Sequence, residues 1–134
     1  MRLDDVFAAH PADGVLGPAD GGFVIAQWTD PGGSPEPIAP LHVHLEDDEA
    51  WYVLEGTLGF RVGDHEFEAP AGAAIFGPHG VPHTFWNPGP GPARYLLVMT
   101  PQTLRLIETL HALPDRAPET LRAHYRKYGC EIVG

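Results

Sequence analysis

Leu41-His42-Val43-His44-Leu45-Glu46-Asp47-Asp48-Glu49-Ala50-Trp51-Tyr52-Val53-Leu54-Glu55-Gly56 is the stretch on which the reading of this chain turns. In an extended strand residues i and i+2 point to the same face, so His42 and His44 project together. Two imidazoles side by side on one face can chelate a metal ion. An isolated His-x-His is more often an ordinary pair of exposed or core histidines, so the rest of the chain has to decide between the two.

Working outward, short apolar and β-branched runs follow one another. Strands are predicted at 23–29, 41–45, 50–55, 57–62, 65–69, 73–76, 82–87 and 93–99. The breaks carry turn chemistry: Gly56, Gly63-Asp64, Pro70-Ala71-Gly72, the run from Gly77 to Gly80, and Asn87 to Pro92. Gly63-Asp64 between two strand-like runs suggests a two-residue hairpin. The 16 glycines and 15 prolines are spread between apolar runs, which fits tight turns rather than a disordered tract. Many short strands at this spacing argue for an all-β sandwich or barrel. Residues 1–19 are poorly patterned and read as an N-terminal arm. After Met99 the period changes. Thr100-Pro101 reads as a helix entry, with Thr as N-cap and Pro at the first helical position. Leu104, Ile107 and Leu110 or His111 share one face, and Pro114 stops that helix. A second helix runs from about Pro118 to Tyr128, with Leu121, Tyr125 and Tyr128 on one side and Gly129 as C-cap. The 134 residues fit one domain, with strands over about 20–100 and a helical appendage over about 101–134.

A second spaced pattern lies at Gly72, Pro78, Gly80, His83 and Asn87. Together with His42, His44, Glu49 and Gly56 it resembles the two motifs of the cupin superfamily, with no departure in spacing. The resemblance implies a small antiparallel β-barrel (a double-stranded β-helix, or jelly roll) followed by two short helices. It also implies that His42, His44, Glu49 and His83 hold one metal ion inside the barrel. Asp48 is the alternative carboxylate among the acids at 46–49. Glu49 is preferred because Ala50 to Gly56 looks like the family's usual strand, whose alternation turns Trp51 and Val53 inward with it. Three imidazoles and a carboxylate suit one divalent transition metal, Fe, Mn, Ni, Co, Cu or Zn, and are too rich in nitrogen for Ca²⁺ or Mg²⁺. The tail from Lys127 to Gly134 is similar to the C-terminal appendage of quercetin-dioxygenase-like small cupins.

Phe85 and Asn87 lie on the strand face of His83, and Tyr95, Leu97 and Met99 alternate on a later strand. With Trp51, Phe60 and Phe76 they are the candidates for a substrate pocket, against the simpler reading of plain core. His10 and His65 read as solvent-exposed, His79 as a turn residue, and His111 and His124 as helix residues. Residues 1–100 hold fourteen Asp and Glu and three Lys and Arg. Of those cations Arg61 and Arg94 alternate outward, so sugar phosphates are not expected as substrates. Arg116, Arg122, Arg126 and Lys127 read as a solvated helix face.

The formal charge of -10 makes nucleic acid and anionic membranes poor partners. Cys130 is the single cysteine, so no intrachain disulfide forms, which suits a reducing cytoplasm. Asp4 and Asp5 stand where a signal peptide would be apolar. The function expected first is a metal-dependent, dioxygenase-like enzyme for a small aromatic or polyketide-type molecule, with Glu49 doubling as proton acceptor. A metal-dependent isomerase or cyclase and a non-enzymatic binding barrel are the alternatives. A homodimer is expected, because a strand at 23–29 would otherwise leave a sheet edge unpaired.

Overall fold

The computed structural model describes residues 14–18 and 20–134. The readings of Asp4, Asp5 and His10, and most of the N-terminal arm, lie outside the described residues. Among the described residues ten strands and two helices follow in chain order: β1 (Gly14–Leu16), β2 (Val24–Asp30), β3 (Ala39–His44), β4 (Glu49–Glu55), β5 (Thr57–Val62), β6 (His65–Pro70), β7 (Ala74–Gly77), β8 (His83–Trp86), β9 (Ala93–Met99), α1 (Pro101–His111), α2 (Pro118–Lys127) and β10 (Cys130–Ile132). They form two antiparallel five-stranded sheets in the orders β1-β2-β9-β4-β7 and β10-β3-β8-β5-β6. This is the jelly roll of the cupin fold. Among the described residues no strand pairs from one sheet to the other, so the two sheets face each other without closing into a continuous barrel.

The alternation read from the sequence determines which side chains fill the space between the sheets. In β4 the buried positions are Glu49, Trp51 and Val53, and in β9 they are Ala93, Tyr95, Leu97 and Met99. Leu58, Phe60 and Phe85 meet them from the second sheet. The turns are those the glycines predict. Gly63 takes φ +59 between Val62 and its partner His65, a positive φ at the first central residue of a two-residue hairpin. Gly56 takes φ +76, and a Cβ there would lie 2.5 Å from the Pro92 carbonyl oxygen, so only glycine fits.

Two three-residue strands escape the sequence reading. β1 pairs with β2 at Ile25, Ala26 and Gln27, so the edge expected at 23–29 is covered over those three residues. β10 pairs with β3 and places Cys130 directly opposite His44. The two helices form a hairpin. Thr100 caps α1 by accepting a hydrogen bond from the Thr103 N–H at 3.2 Å, with Pro101 opening the helix. Leu104 and Ile107 pack on the core between the sheets, while Leu106 joins Tyr125 and Cys130 in a second cluster. The hairpin therefore packs on its own chain.

Candidate metal centre and cavity

β3 carries His42 and His44 with both side chains buried. His83 enters from β8 directly opposite His42 in the ladder. Glu49 comes from the facing sheet, as the first residue of β4. One donor atom from each of the four lies within 4.8 Å of the others. His44 Nε2 is 2.6 Å and His83 Nε2 2.9 Å from Glu49 Oε1, and His42 Nε2 is 3.1 Å from His44 Nε2. Two ligands at right angles, each about 2.1 Å from an ion, lie about 3 Å apart. These contacts do not satisfy the groups that make them. Glu49 Oε1 and both ring nitrogens of His83 are buried without a well-aligned hydrogen bond, which native interiors rarely tolerate. Such a donor set, short in distance and misaligned for hydrogen bonds, fits a metal ion.

Two of the rings are oriented from behind. His42 Nδ1–H donates to the Pro40 carbonyl at 2.6 Å, which leaves its Nε2 lone pair for the centre. His44 Nδ1 lies 3.0 Å from Cys130 Sγ. The electrostatics also favour a cation. Burial pushes the Glu49 carboxyl up, but His44 and His83 outweigh it and hold it down to about 2. Burial disfavours charge on His44 too, yet its contacts with Cys130 and Glu49 prevail and raise it to about 10. Burial and the neighbouring His83 lower His42 to about 4.

The structure brings Glu49, not Asp48, to the histidines. The Asp48 carboxylate is exposed. Its Oδ1 accepts from the His79 N–H at 2.9 Å and lies 2.7 Å from His79 Nδ1, tying the loop before β8 to the loop before β4. His79 is thus part of that tie.

The donor set opens into a cavity of about 410 Å³. Of the predicted pocket residues, Trp51, Phe85, Tyr95 and Leu97 line it. The other four do not. Phe60 is core behind Trp51 and Phe85, at 5.3 and 5.5 Å between ring centroids. Met99 is buried in the same core. Phe76 is 59% exposed on the outer face of its sheet, because the alternation of β7 turns Ile75 and Gly77 inward instead. Asn87 lies just past β8 and closes a loop: its Nδ2 donates to the Gly91 carbonyl at 2.9 Å and to Asp30 Oδ1 at 3.2 Å.

Sequence reasoning missed the roof. Thr103, Leu106, Ile107, Leu110 and His111 of α1, and Leu121 and Tyr125 of α2, line the cavity. So does Arg116, which lies in the connection between the helices rather than on a solvated helix face. The helical periodicity gave the apolar stripe but not the surface it covers, and an arginine between helices carries no signal of its own.

Comparisons with known proteins agree with this geometry. No curated protein matches the chain in sequence. Among solved structures, a sugar phosphate isomerase of the cupin superfamily from Silicibacter pomeroyi is 28% identical, with a TM-score of 0.53, over 60% of this chain and 51% of that one. The match thus spans about half the length of that relative. A protein from Thermus thermophilus is 28% identical, with a TM-score of 0.57, over 75% of this chain and 95% of that one. A cupin protein from Bacteroides fragilis, 18% identical with a TM-score of 0.57 over 69% of this chain and 79% of that one, shares the fold. The model of the Cupin domain family matches residues 30–99. That match runs from the last residue of β2 to the last of β9 and takes in all four donors and more than half of the chain, which makes this protein a member of the cupin family.

Proposed function

We propose that the protein is a metal-dependent enzyme that transforms a small, largely apolar organic molecule of aromatic or polyketide type. The observation that carries this reading is the place of the donor set: His42, His44, Glu49 and His83 form the floor of a cavity whose walls are mainly apolar. A divalent transition metal there, Fe, Mn, Ni, Co, Cu or Zn, supplies Lewis acidity and, if redox-active, electron exchange with dioxygen. The chain's own residues do the positioning. Trp51, Phe85, Tyr95 and Leu97 hold the apolar body of the substrate and exclude water. Pro40 and Cys130 fix the rings of His42 and His44. Glu49 is the anionic ligand.

Dioxygenase-type chemistry is the first reading, because the wall beside the donor set is rich in rings that suit a flat substrate. The 28% identity to a protein described as a sugar phosphate isomerase favours a second, an isomerase or cyclase that uses Lewis acidity alone. An oxygen electrode separates them. Protein reconstituted with Fe(II), Mn(II), Ni(II) or Cu(II) is offered a panel of flavonols, catechols and 1,3-diketones. Dioxygenase chemistry consumes one O2 per substrate lost. Substrate loss without O2 uptake assigns the isomerase or cyclase. Saturable binding with no turnover assigns a binding protein and overturns the enzyme reading. We place the protein in the cytoplasm, where the lone Cys130 stays reduced.

A further inference from the structure

The roof of the cavity carries a charge that the floor does not need. Arg116 is the one Lys or Arg among the described residues lining the cavity. One of its N–H groups, on Nη1, donates to the Leu110 carbonyl at 2.8 Å, which anchors the side chain to the end of α1. Among the described residues it forms no ion pair, whereas Arg94 pairs with Glu55 and Arg126 with Glu131. The two carboxylates that share the cavity are engaged elsewhere. Asp30 Oδ1 accepts from the Gly32 N–H at 2.8 Å and from Asn87, and Glu49 faces the histidines.

Tyr125 is a second, independent observation. It lines the same cavity and is 3% exposed as a residue, so its hydroxyl is available to the cavity as a donor. Its ring packs edge-on against His42 at 5.5 Å, and Arg116 is near enough for its charge to act on the phenol. A guanidinium without an ion pair and a phenol beside His42 thus line the same largely apolar cavity as the donor set.

We infer that the substrate is a small apolar monocarboxylic acid, its carboxylate bound by Arg116 with the Tyr125 hydroxyl as second donor and its body lying along the apolar wall of the cavity. The inference rests on the reading of this cavity as a substrate site. A carboxylate fits better than a phosphate for two reasons. The planar fork of one guanidinium matches the two oxygens of a carboxylate. A phosphate dianion would add a second negative charge to a cavity that already holds Asp30 and Glu49, with one arginine to meet it.

Calorimetric titration of the full chain tests this, metal-free and zinc-loaded, with benzoate, its neutral analogue benzamide, and phenyl phosphate. Benzoate should bind at least about tenfold tighter than benzamide, the size of one charge-assisted hydrogen bond. Arg116→Gln should abolish that preference, and Tyr125→Phe should reduce it. Arg116 is exposed, so its replacement leaves the packing intact, which circular dichroism verifies. Equal binding of benzoate and benzamide, no binding of benzoate, or a preference that survives Arg116→Gln overturns the inference. So does a preference that requires zinc and ignores Arg116, which would put the carboxylate on the metal, and so does tightest binding by phenyl phosphate. Zinc content is measured in parallel. A chain that takes up no metal but keeps the arginine-dependent preference would refute the metal-enzyme reading and leave this one standing.

Discussion

At His44 the ring nitrogen facing away from the donor set, Nδ1, lies 3.0 Å from Cys130 Sγ, both groups buried. With Nδ1–H donating to sulfur, Nε2 keeps its lone pair for the centre, and partners of this kind are commonly worth 10- to 100-fold in metal affinity. Cys130→Ala is therefore expected to weaken metal binding by about tenfold, measured by competition with a chelating dye, while the far-ultraviolet circular dichroism stays unchanged. Replacing His44 or Glu49 with Ala should abolish metal binding and leave the fold, because their strands pair without them. A wholly unfolded His44→Ala protein would make the metal structural. The pH dependence follows from the same ring. His44, raised to about 10, carries a proton at neutral pH in the metal-free protein and must release it to bind metal. Metal affinity should therefore rise with pH, by up to about tenfold per unit around neutrality, and calorimetry in buffers of different ionisation enthalpy should show about one proton released per ion. The donors were legible in the sequence because strand alternation places 42 and 44 together and the two-motif spacing adds 49 and 83. Cys130, Tyr125 and Arg116 were not. They reach the site through a helical hairpin and a three-residue strand, whose docking no local pattern specifies.

Among the elements, the α1–α2 hairpin supplies the roof of the cavity. Leu106 is 3% exposed between α1, Tyr125 and Cys130. Leu106→Ala should cost about 2–5 kcal/mol in urea unfolding, and should also weaken ligand binding because the roof loosens. Gly56 is the turn between β4 and β5. Gly56→Ala would force a Cβ against the Pro92 oxygen at positive φ, and a loss of about 1–3 kcal/mol in the same assay is expected. The strands from β2 to β9 were each recognised from the sequence to within about two residues at either end, because Gly, Pro and Asn punctuate them. β1 and β10 were missed because three residues are too few to show a period of two. Phe76 falls outside the pocket because the alternation of β7 turns Ile75 and Gly77 inward.

For the whole molecule, β1 covers part of the edge that the sequence suggested for a dimer, and a second surface is exposed. On the outer face of the first sheet Phe76, Ala50, Val98 and Ile25 lie in one register row, with Phe23 nearby at 62% exposed. We propose a homodimer that covers this face, for which sedimentation should give roughly twice the chain mass of 14.5 kDa. Phe76→Glu should return it to the monomer mass. A wild-type species at the chain mass would show that this face stays in water. The central claim is the metal. Metal-free protein reconstituted with zinc and desalted, then measured by elemental analysis, should hold one ion per chain, while His83→Ala and Glu49→Gln fall far below that. Wild-type protein that retains no zinc, or a His83→Ala variant that retains as much as wild type, would contradict the assignment of His42, His44, Glu49 and His83 as one metal centre.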